Sequence, residues 1–166
     1  NSFHVHTVYY IPENTIKTHR NRELYQKWVR EGYLRVCGKK CIDYDMIAKD
    51  IVEMTKYLNI LQIGYDPYKS KEFINILGVM GNRKALQPVG QTYGNFTSPV
   101  QTFESTLLTD RLTLNDNPIN AYCFDNAVLD EDRLENKKPQ KRSKDKKIDG
   151  VITALMTIWE FGNYVR

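Results

Sequence analysis

Two aspartates stand where carboxylates could carry out hydrolysis. Asp66 ends the most strand-like run of the chain, residues 60–65, and Asp149 stands at the start of the last helical pattern. Carboxylates from distant segments suit hard cations such as Mg²⁺ and Mn²⁺, and Mg²⁺ keeps several of its waters, so few protein ligands are needed. Two such ions about 3.5–4 Å apart can hydrolyse a phosphodiester, with a metal-bound water as the nucleophile. Both positions are also typical of helix N-caps, so capping is the competing interpretation.

The segment before Asp149 is strongly basic. Residues 137–147 contain seven lysines and arginines and one acid, a local net charge of +6 in a chain whose total is +4, so the remainder carries −2. With few apolar residues, the segment 129–147 is predicted to be a mobile basic loop that contacts a polyanion, or simply a solvated loop. The candidate phosphate-binding residues are Lys141, Arg142, Lys144, Lys146 and Lys147.

Composition indicates one globular domain over residues 1–166. The chain is 41% hydrophobic and 27% charged, its apolar runs are far shorter than a membrane span, and it contains no P-loop motif for ATP. Three cysteines form no even disulfide framework, which predicts a reducing compartment. Cys37 with Cys41, and His4 with His6, have spacings that zinc could use, but ordinary packing is the favoured interpretation. Because the chain does not begin with Met, we expect a fragment of a longer protein.

Hydrophobic periodicity predicts alternating strands and helices. Strands are expected at 3–11, 33–37, 60–65 and 85–89, helices at 14–30, 44–58, 67–78, 100–108 and 149–164, a polar loop at 90–99, and a short strand or helix at 119–124. This alternation predicts an α/β fold with helices flanking a central sheet. Ligands of such sheets bind beyond the carboxyl ends of the strands, where Asp66 is placed.

Asp43 is expected to cap the helix at 44–58. In the last helix, Val151, Ile152, Leu155 and Ile158 recur at helical spacing, and Asp149 lies at the edge of that buried face, so its side chain is expected to point toward the body of the protein.

Several segments, in this order and spacing, resemble a known family. They are Trp28-Val29-Arg30-Glu31-Gly32-Tyr33-Leu34, Ile42-Asp43-Tyr44-Asp45, Ile63-Gly64-Tyr65-Asp66-Pro67, Gln91 before Ser98-Pro99, Asn117-Pro118, and Lys147-Ile148-Asp149-Gly150-Val151. Together they resemble the C-terminal nuclease domain of the phage terminase large subunit over nearly the whole chain. The pair Tyr-Asp-Pro and Lys-Ile-Asp-Gly is the most specific part of the resemblance.

The resemblance implies a ribonuclease H-like fold, with a central mixed sheet flanked by helices. It implies a DNA endonuclease that cuts concatemeric DNA with two Mg²⁺ or Mn²⁺ ions, with Asp66 and Asp149 as catalytic metal ligands. The family's first catalytic aspartate lies on a strand before the one near Phe3, so the first strand and its carboxylate are expected to be missing from this sequence. The implied partners are double-stranded DNA, an upstream ATPase domain of the same protein, the portal and the small terminase subunit, with no membrane. The implied location is the cytoplasm of the bacterial host during phage assembly.

Two other functions remain open at this point. A DNA- or portal-binding module would keep the basic segment but lack catalysis, because the first carboxylate is absent. A resolvase- or transposase-type nuclease would use a similar carboxylate cluster on a different DNA substrate.

Overall fold

The computed structural model describes residues 2–82 and 85–164. It contains strands and helices in a mixed order. In chain order they are β1 (Phe3–Val5), β2 (Tyr9–Ile11), α1 (Glu13–Thr18), α2 (Arg22–Arg30), β3 (Leu34–Val36), α3 (Tyr44–Met54), β4 (Ile63–Tyr65), α4 (Lys71–Leu77), β5 (Leu86–Pro88), α5 (Tyr93–Leu108), β6 (Leu112–Leu114), α6 (Pro118–Asp125), β7 (Ala127–Glu131), β8 (Lys137–Lys141) and α7 (Asp149–Tyr164). In the part of the chain so described, no helix combines the length and the apolar character needed to cross a membrane.

Unit 1 consists of Asn1–Thr7, Gln62–Tyr68 and Gln87–Arg166, and it contains α7. This helix packs against α5, α6 and β4. Its buried face carries apolar residues at the spacing that the sequence predicted, namely Val151, Ile152, Leu155 and Ile158. Burying such a stripe is the main source of stability for an amphipathic helix, so α7 is held firmly within this unit.

Unit 2 consists of Val8–Leu61 and Lys69–Leu86. Its β2 and β3 are parallel, α1 packs on α2, and α3 packs on α4. The predicted cap of α3 is confirmed, because the Asp43 side chain accepts a hydrogen bond from the Met46 N–H. The predicted helix at 14–30 is divided into α1 and α2, which are separated at residues 19–21. Ile16, Tyr25 and Trp28 form part of the buried interior.

The strands pair differently from the prediction. Among residues 2–82 and 85–164 they form four two-stranded ladders, β1 with β6, β2 with β3, β4 with β5, and β7 with β8, rather than one central sheet. The predicted strand at 3–11 is two short strands, with β1 in unit 1 and β2 in unit 2. Six of the eight strands within the described ranges are three residues long, so each ladder contains few hydrogen bonds. The mixed α/β class is confirmed, whereas the ribonuclease H-like sheet stays a prediction.

The prediction of a polar loop at 90–99 is wrong for most of that range. Helix α5 begins at Tyr93, where the Thr92 side chain accepts a hydrogen bond from the Asn95 N–H, and it continues through Pro99. The polar, glycine-containing sequence made a loop the expected structure, and Pro99 removes one helical hydrogen bond. Burial of Phe96 and Val100 on either side of Pro99 supplies the packing that favours the helix here.

A β-hairpin occupies most of the segment predicted as a mobile basic loop. Strands β7 and β8 are antiparallel, with Leu129 opposite Pro139, and β8 packs against α5. The turn is closed by Asp132, whose carboxylate accepts hydrogen bonds from the N–H groups of Leu134 and Asn136. No apolar pattern in the sequence predicted this hairpin, because β8 is polar and is stabilised by its contacts with α5, while Val128 and Leu129 of β7 are exposed. Only residues 142–148 connect β8 to α7 without regular structure.

Candidate functional site

The Asp66 carboxylate lies immediately after β4 and is held by two neutral donors. Its Oδ1 accepts a hydrogen bond from the Tyr68 N–H at 2.9 Å, and its Oδ2 accepts one from the Gln91 side-chain Nε2 at 2.5 Å. The helix that follows begins only at Lys71, with Ser70 before it. The competing interpretation of Asp66 as a helix N-cap is therefore wrong, because this carboxylate closes a local turn and contacts a distant glutamine.

Asp149 is the first residue of α7 and is exposed, whereas Ile148 and Gly150 on either side are buried. The expectation that its side chain points toward the body of the protein is therefore wrong. Within the described part of the chain, its carboxylate accepts no hydrogen bond and forms no ion pair. A negative charge at the positive end of the helix dipole is favourable, so the carboxylate is stabilised there while its oxygens remain available.

The two aspartates belong to the same compact unit, and the elements that carry them, β4 and α7, pack against each other. Across residues 2–82 and 85–164, no group of three or more His, Cys, Asp or Glu side chains is close enough to hold a metal ion. The weak zinc interpretation of the cysteines and histidines is not supported: Cys37 is buried and donates to the Asp43 carbonyl, and His4 is hydrogen-bonded to Thr113.

The predicted phosphate-binding residues lie at the end of the hairpin and in the connection to α7. All are exposed except Lys146, which is half-buried; they are Lys141, Arg142, Lys144, Lys146 and Lys147. The connection is shaped by three hydrogen bonds. The Arg142 N–H donates to the Asn126 carbonyl, the Lys146 N–H donates to the Ser143 carbonyl, and the Ser143 hydroxyl donates to Asp145 Oδ1. The basic side chains therefore project from a folded turn rather than from an extended loop.

The Asp130 carboxylate in β7 is a contact point between the hairpin and α5. Its Oδ2 accepts hydrogen bonds from the Tyr93 hydroxyl and the Gln140 side-chain amide. The Lys138 ammonium lies 4.4 Å from the centre of the Tyr93 ring, a cation–π contact. The hydrogen bond to Asp130 is the main cause of a raised pKa at Tyr93. These contacts join the hairpin to the first turn of α5, which begins two residues after Gln91.

A buried carboxylate was missed by the sequence analysis. Glu160 on α7 is only 6% exposed, and burial raises the pKa of its carboxyl group. A signal was available, because Glu160 follows Ile152 and Met156 at intervals of four residues and so falls on the buried stripe of the helix. Gln91 was recognised as part of a motif, but its contact with Asp66 could not be predicted from the sequence.

One cleft of unit 1, of about 500 Å³, lies away from the two aspartates. It is formed by α5, α7 and the start of β1, and Phe3, Arg111 and Trp159 are among its lining residues. None of the predicted site residues lines it. The two aspartates therefore lie outside this cleft.

The elements described above, with Asp66 after a strand and Asp149 at the start of a helix, define a mixed α/β protein. The chain belongs to the family described as terminase large subunit, endonuclease domain, whose profile matches residues 2–164. It is 28% identical over 152 residues to the terminase large subunit of Enterobacteria phage HK97, a match that covers 90% of this chain and 30% of that protein. The structure is similar to the crystal structure of the HK97 bacteriophage large terminase, with a TM-score of 0.79 and 28% identity over 90% of this chain and 32% of that one. The chain thus spans about a third of the length of these relatives.

Proposed function

We propose that this chain is the divalent-metal-dependent DNA endonuclease domain of a phage DNA-packaging terminase, with Asp66 and Asp149 as metal ligands. The observation that carries the proposal is the placement of the two carboxylates, together with the hydrogen bonding of Asp66 and the exposure of Asp149. Asp66 is oriented at a strand end by neutral donors, and Asp149 is exposed at the start of a helix in the same unit. Family membership supports a nuclease role in DNA packaging.

The donor chemistry of these residues fits Mg²⁺ or Mn²⁺. Both ions prefer carboxylate oxygens, and Mg²⁺ retains several waters, so two protein carboxylates are a reasonable part of a site. Because the described residues contain no cluster of three acidic or other ligating side chains, the proposal includes a further carboxylate. We propose that this carboxylate is the family's first catalytic aspartate, supplied by another part of the full-length protein.

Each named residue has a separate task in the proposed reaction. Asp66 and Asp149 would hold the two ions, and the Gln91 amide would keep the Asp66 carboxylate in one orientation. When bound, the ions would stabilise the negative charge on the leaving oxygen and activate water. Lys147 and the exposed basic residues before it would hold DNA phosphates, which positions the duplex without reading its sequence.

We further propose the setting that the resemblance to phage terminases implies. Double-stranded DNA is the substrate, and an ATPase domain elsewhere in the full-length protein, the portal and the small terminase subunit are the partners. The proposed location is the cytoplasm of the infected bacterial cell during phage assembly.

The test is metal-dependent nicking of a supercoiled plasmid by the full-length protein that contains this chain. Asp66→Asn and Asp149→Asn should each abolish nicking with Mg²⁺ and Mn²⁺, because each removes a charged ligand while keeping the shape of the side chain. Asp45→Asn is a matched control, since Asp45 is also an exposed acid in the first turn of a helix, α3 in unit 2. Wild-type nicking rates in both site variants would overturn the proposal.

A second candidate, a DNA-binding module without catalysis, is favoured by the lack of a three-member ligand cluster among the described residues. It predicts DNA retention that falls steeply with salt and no cleavage with any divalent ion. The same plasmid experiment separates the two functions, because only the nuclease converts the plasmid to the nicked form.

A further inference from the structure

Glu160 reaches from α7 to β4, the strand that ends at Asp66. It is buried, and its Oε1 has no hydrogen-bond partner within the described part of the chain. Oriented with its nitrogen toward Glu160, the Gln62 side-chain amide donates to Glu160 Oε2 at 2.7 Å and to the Glu160 carbonyl at 3.2 Å. One amide thus binds both the backbone and the side chain of the helix, next to the start of β4.

Gly64, in the middle of β4, provides the space for this side chain. A Cβ at position 64 would lie 2.8 Å from Glu160 Cγ and 3.2 Å from Val89 Cγ2. The first distance is shorter than real Cβ contacts, and Cγ lies near the base of a buried side chain that has little room to move. The absence of a side chain at Gly64 therefore lets α7 approach the strand closely at Glu160.

The strand and the helix joined in this way carry the two proposed ligands. Asp66 follows Gly64 by two residues, and Asp149 begins the helix that contains Glu160. Metal sites of this kind must be held to within about 0.5 Å of their working geometry by packed supporting residues. Burying a carboxyl group that lacks a full set of hydrogen bonds costs free energy. An apolar side chain would fill the same space without this cost, so packing alone does not account for Glu160.

We propose that Glu160 is a positioning residue of the nuclease site, which, with Gln62 and Gly64, fixes α7 against β4 and so sets the relative placement of Asp149 and Asp66. The inference rests on the proposed function. Glu160 contacts neither DNA nor metal in this role, and it acts only through the two elements that it joins.

The experiment measures two quantities for the full-length protein: the dissociation constant of Mn²⁺ without DNA, by calorimetric titration, and plasmid nicking as a function of Mn²⁺ concentration. In each variant the two should shift together. Glu160→Ala should raise the Mn²⁺ concentration for half-maximal nicking by roughly tenfold or more, the usual effect of losing a residue that supports metal ligands. Saturating Mn²⁺ should restore most of the rate. Glu160→Gln, which keeps the shape and an acceptor for Gln62, should return the half-maximal concentration close to the wild-type value.

Gly64→Ala should shift the half-maximal Mn²⁺ concentration in the same direction, because the added Cβ pushes against Glu160. Gly162→Ala is the matched control on α7, since a Cβ at Gly162 meets no atom within 4 Å. In the double variant Gly64→Ala/Glu160→Ala, the combined shift should be smaller than the product of the single shifts, because shortening the side chain at position 160 removes the Cγ atom that the added methyl group would strike.

Two results would overturn the inference while leaving the nuclease proposal intact. One is an active Glu160→Ala variant whose Mn²⁺ dependence matches the wild type, and the other is a pair of independent, multiplicative effects at positions 64 and 160. If Glu160→Ala does not fold, the comparison of Gly64→Ala with Gly162→Ala decides the question in the same way. A wild-type protein that neither binds Mn²⁺ nor nicks DNA would overturn the proposed function, and the positioning role with it.

Discussion

Gln91 donates a hydrogen bond from its side-chain amide to Oδ2 of Asp66, at 2.5 Å. The two residues are 25 positions apart in the chain, and the contact forms because β4 and the segment after β5 are neighbours. This adjacency is fixed by the hydrogen bond from the Val89 N–H to the Tyr65 carbonyl, at 2.8 Å. A neutral donor restrains the carboxylate without cancelling its charge, which suits a ligand that must still attract a cation.

Gln91→Ala should therefore weaken Mn²⁺ binding at the proposed nuclease site without abolishing it. Loss of the amide frees Oδ2 to rotate, and we expect a roughly 10- to 100-fold increase in the Mn²⁺ concentration needed for half-maximal nicking. Gln101→Ala is the control, because Gln101 is an exposed glutamine on α5. Equal metal dependence in the two variants would show that the contact does not orient the ligand.

The exposed basic residues around the start of α7 should control the salt dependence of DNA binding. Replacing Arg142, Lys144 and Lys147 together with glutamine should reduce the slope of log K against log salt by about 1 for each lost phosphate contact. The slope can be measured by fluorescence anisotropy with a labelled duplex at several KCl concentrations. Lys49→Gln on α3 is the control, and an unchanged slope in the triple variant would contradict a phosphate-binding role.

Thr97 in α5 forms one of the hydrogen bonds that attach the hairpin to this helix. Its hydroxyl oxygen accepts a hydrogen bond from the Lys137 N–H at 2.9 Å, and the hydroxyl donates to the Tyr93 carbonyl at 2.8 Å. Thr97→Val should lower the free energy of unfolding by about 1 to 3 kcal/mol, because the backbone N–H of a half-buried residue loses its partner. Urea denaturation checks the value. Ser105→Ala, an exposed hydroxyl within the same helix, should cost clearly less.

The buried Glu160 carboxyl should make stability depend on pH. Its folded-state pKa is raised above the ordinary value of 4.5 by burial, so the folded protein holds this proton more tightly than the unfolded chain. The stability contribution is fully present below pH 4.5 and is lost as the pH rises through the raised pKa. The side chain of the Glu160→Gln variant does not ionise, so this loss of stability with rising pH does not occur in the variant.

The variant's free energy of unfolding should therefore increase relative to wild type as the pH rises from about 4 toward neutral, and the difference should then level off. Urea titrations at a series of pH values measure it. A difference that stays constant over this range would mean that the carboxyl group titrates normally in the folded state.

In unit 2, the Tyr10 hydroxyl donates to Asp50 Oδ2 at 2.7 Å, and Arg35 forms an ion pair with the same oxygen at 3.0 Å. Burial first, and then the Asp50 carboxylate, raise the pKa of Tyr10 to about 12. Asp50→Asn should lower this pKa, because the neutral amide no longer opposes the phenolate. Spectrophotometric titration of tyrosine between about pH 9 and 12 measures the change, and Asp43→Asn serves as a control in the same unit.

Local features of the chain were predictable from the sequence. The helical spacing of Val151, Ile152, Leu155 and Ile158 predicted α7 with its correct bounds, and Asp43 was correctly predicted as a helix cap. Both predictions depend on residues within a few turns of one another, so periodicity and capping chemistry are sufficient. The prediction for Asp66 as a possible cap was wrong, because the chain turns there through Tyr68 and delays the next helix to Lys71.

The sequence by itself determined the mixed α/β class, the family, and the two aspartates proposed as ligands. The tertiary structure alone decided which distant residues contact these aspartates or the elements that carry them. The contacts of Gln91 with Asp66, and of Gln62 and Gly64 with Glu160, join segments far apart in the chain, and no periodicity or short motif encodes such distances. The hairpin over 127–141 has the same origin: β8 is polar, and its packing on α5 can be known only once both elements are in place.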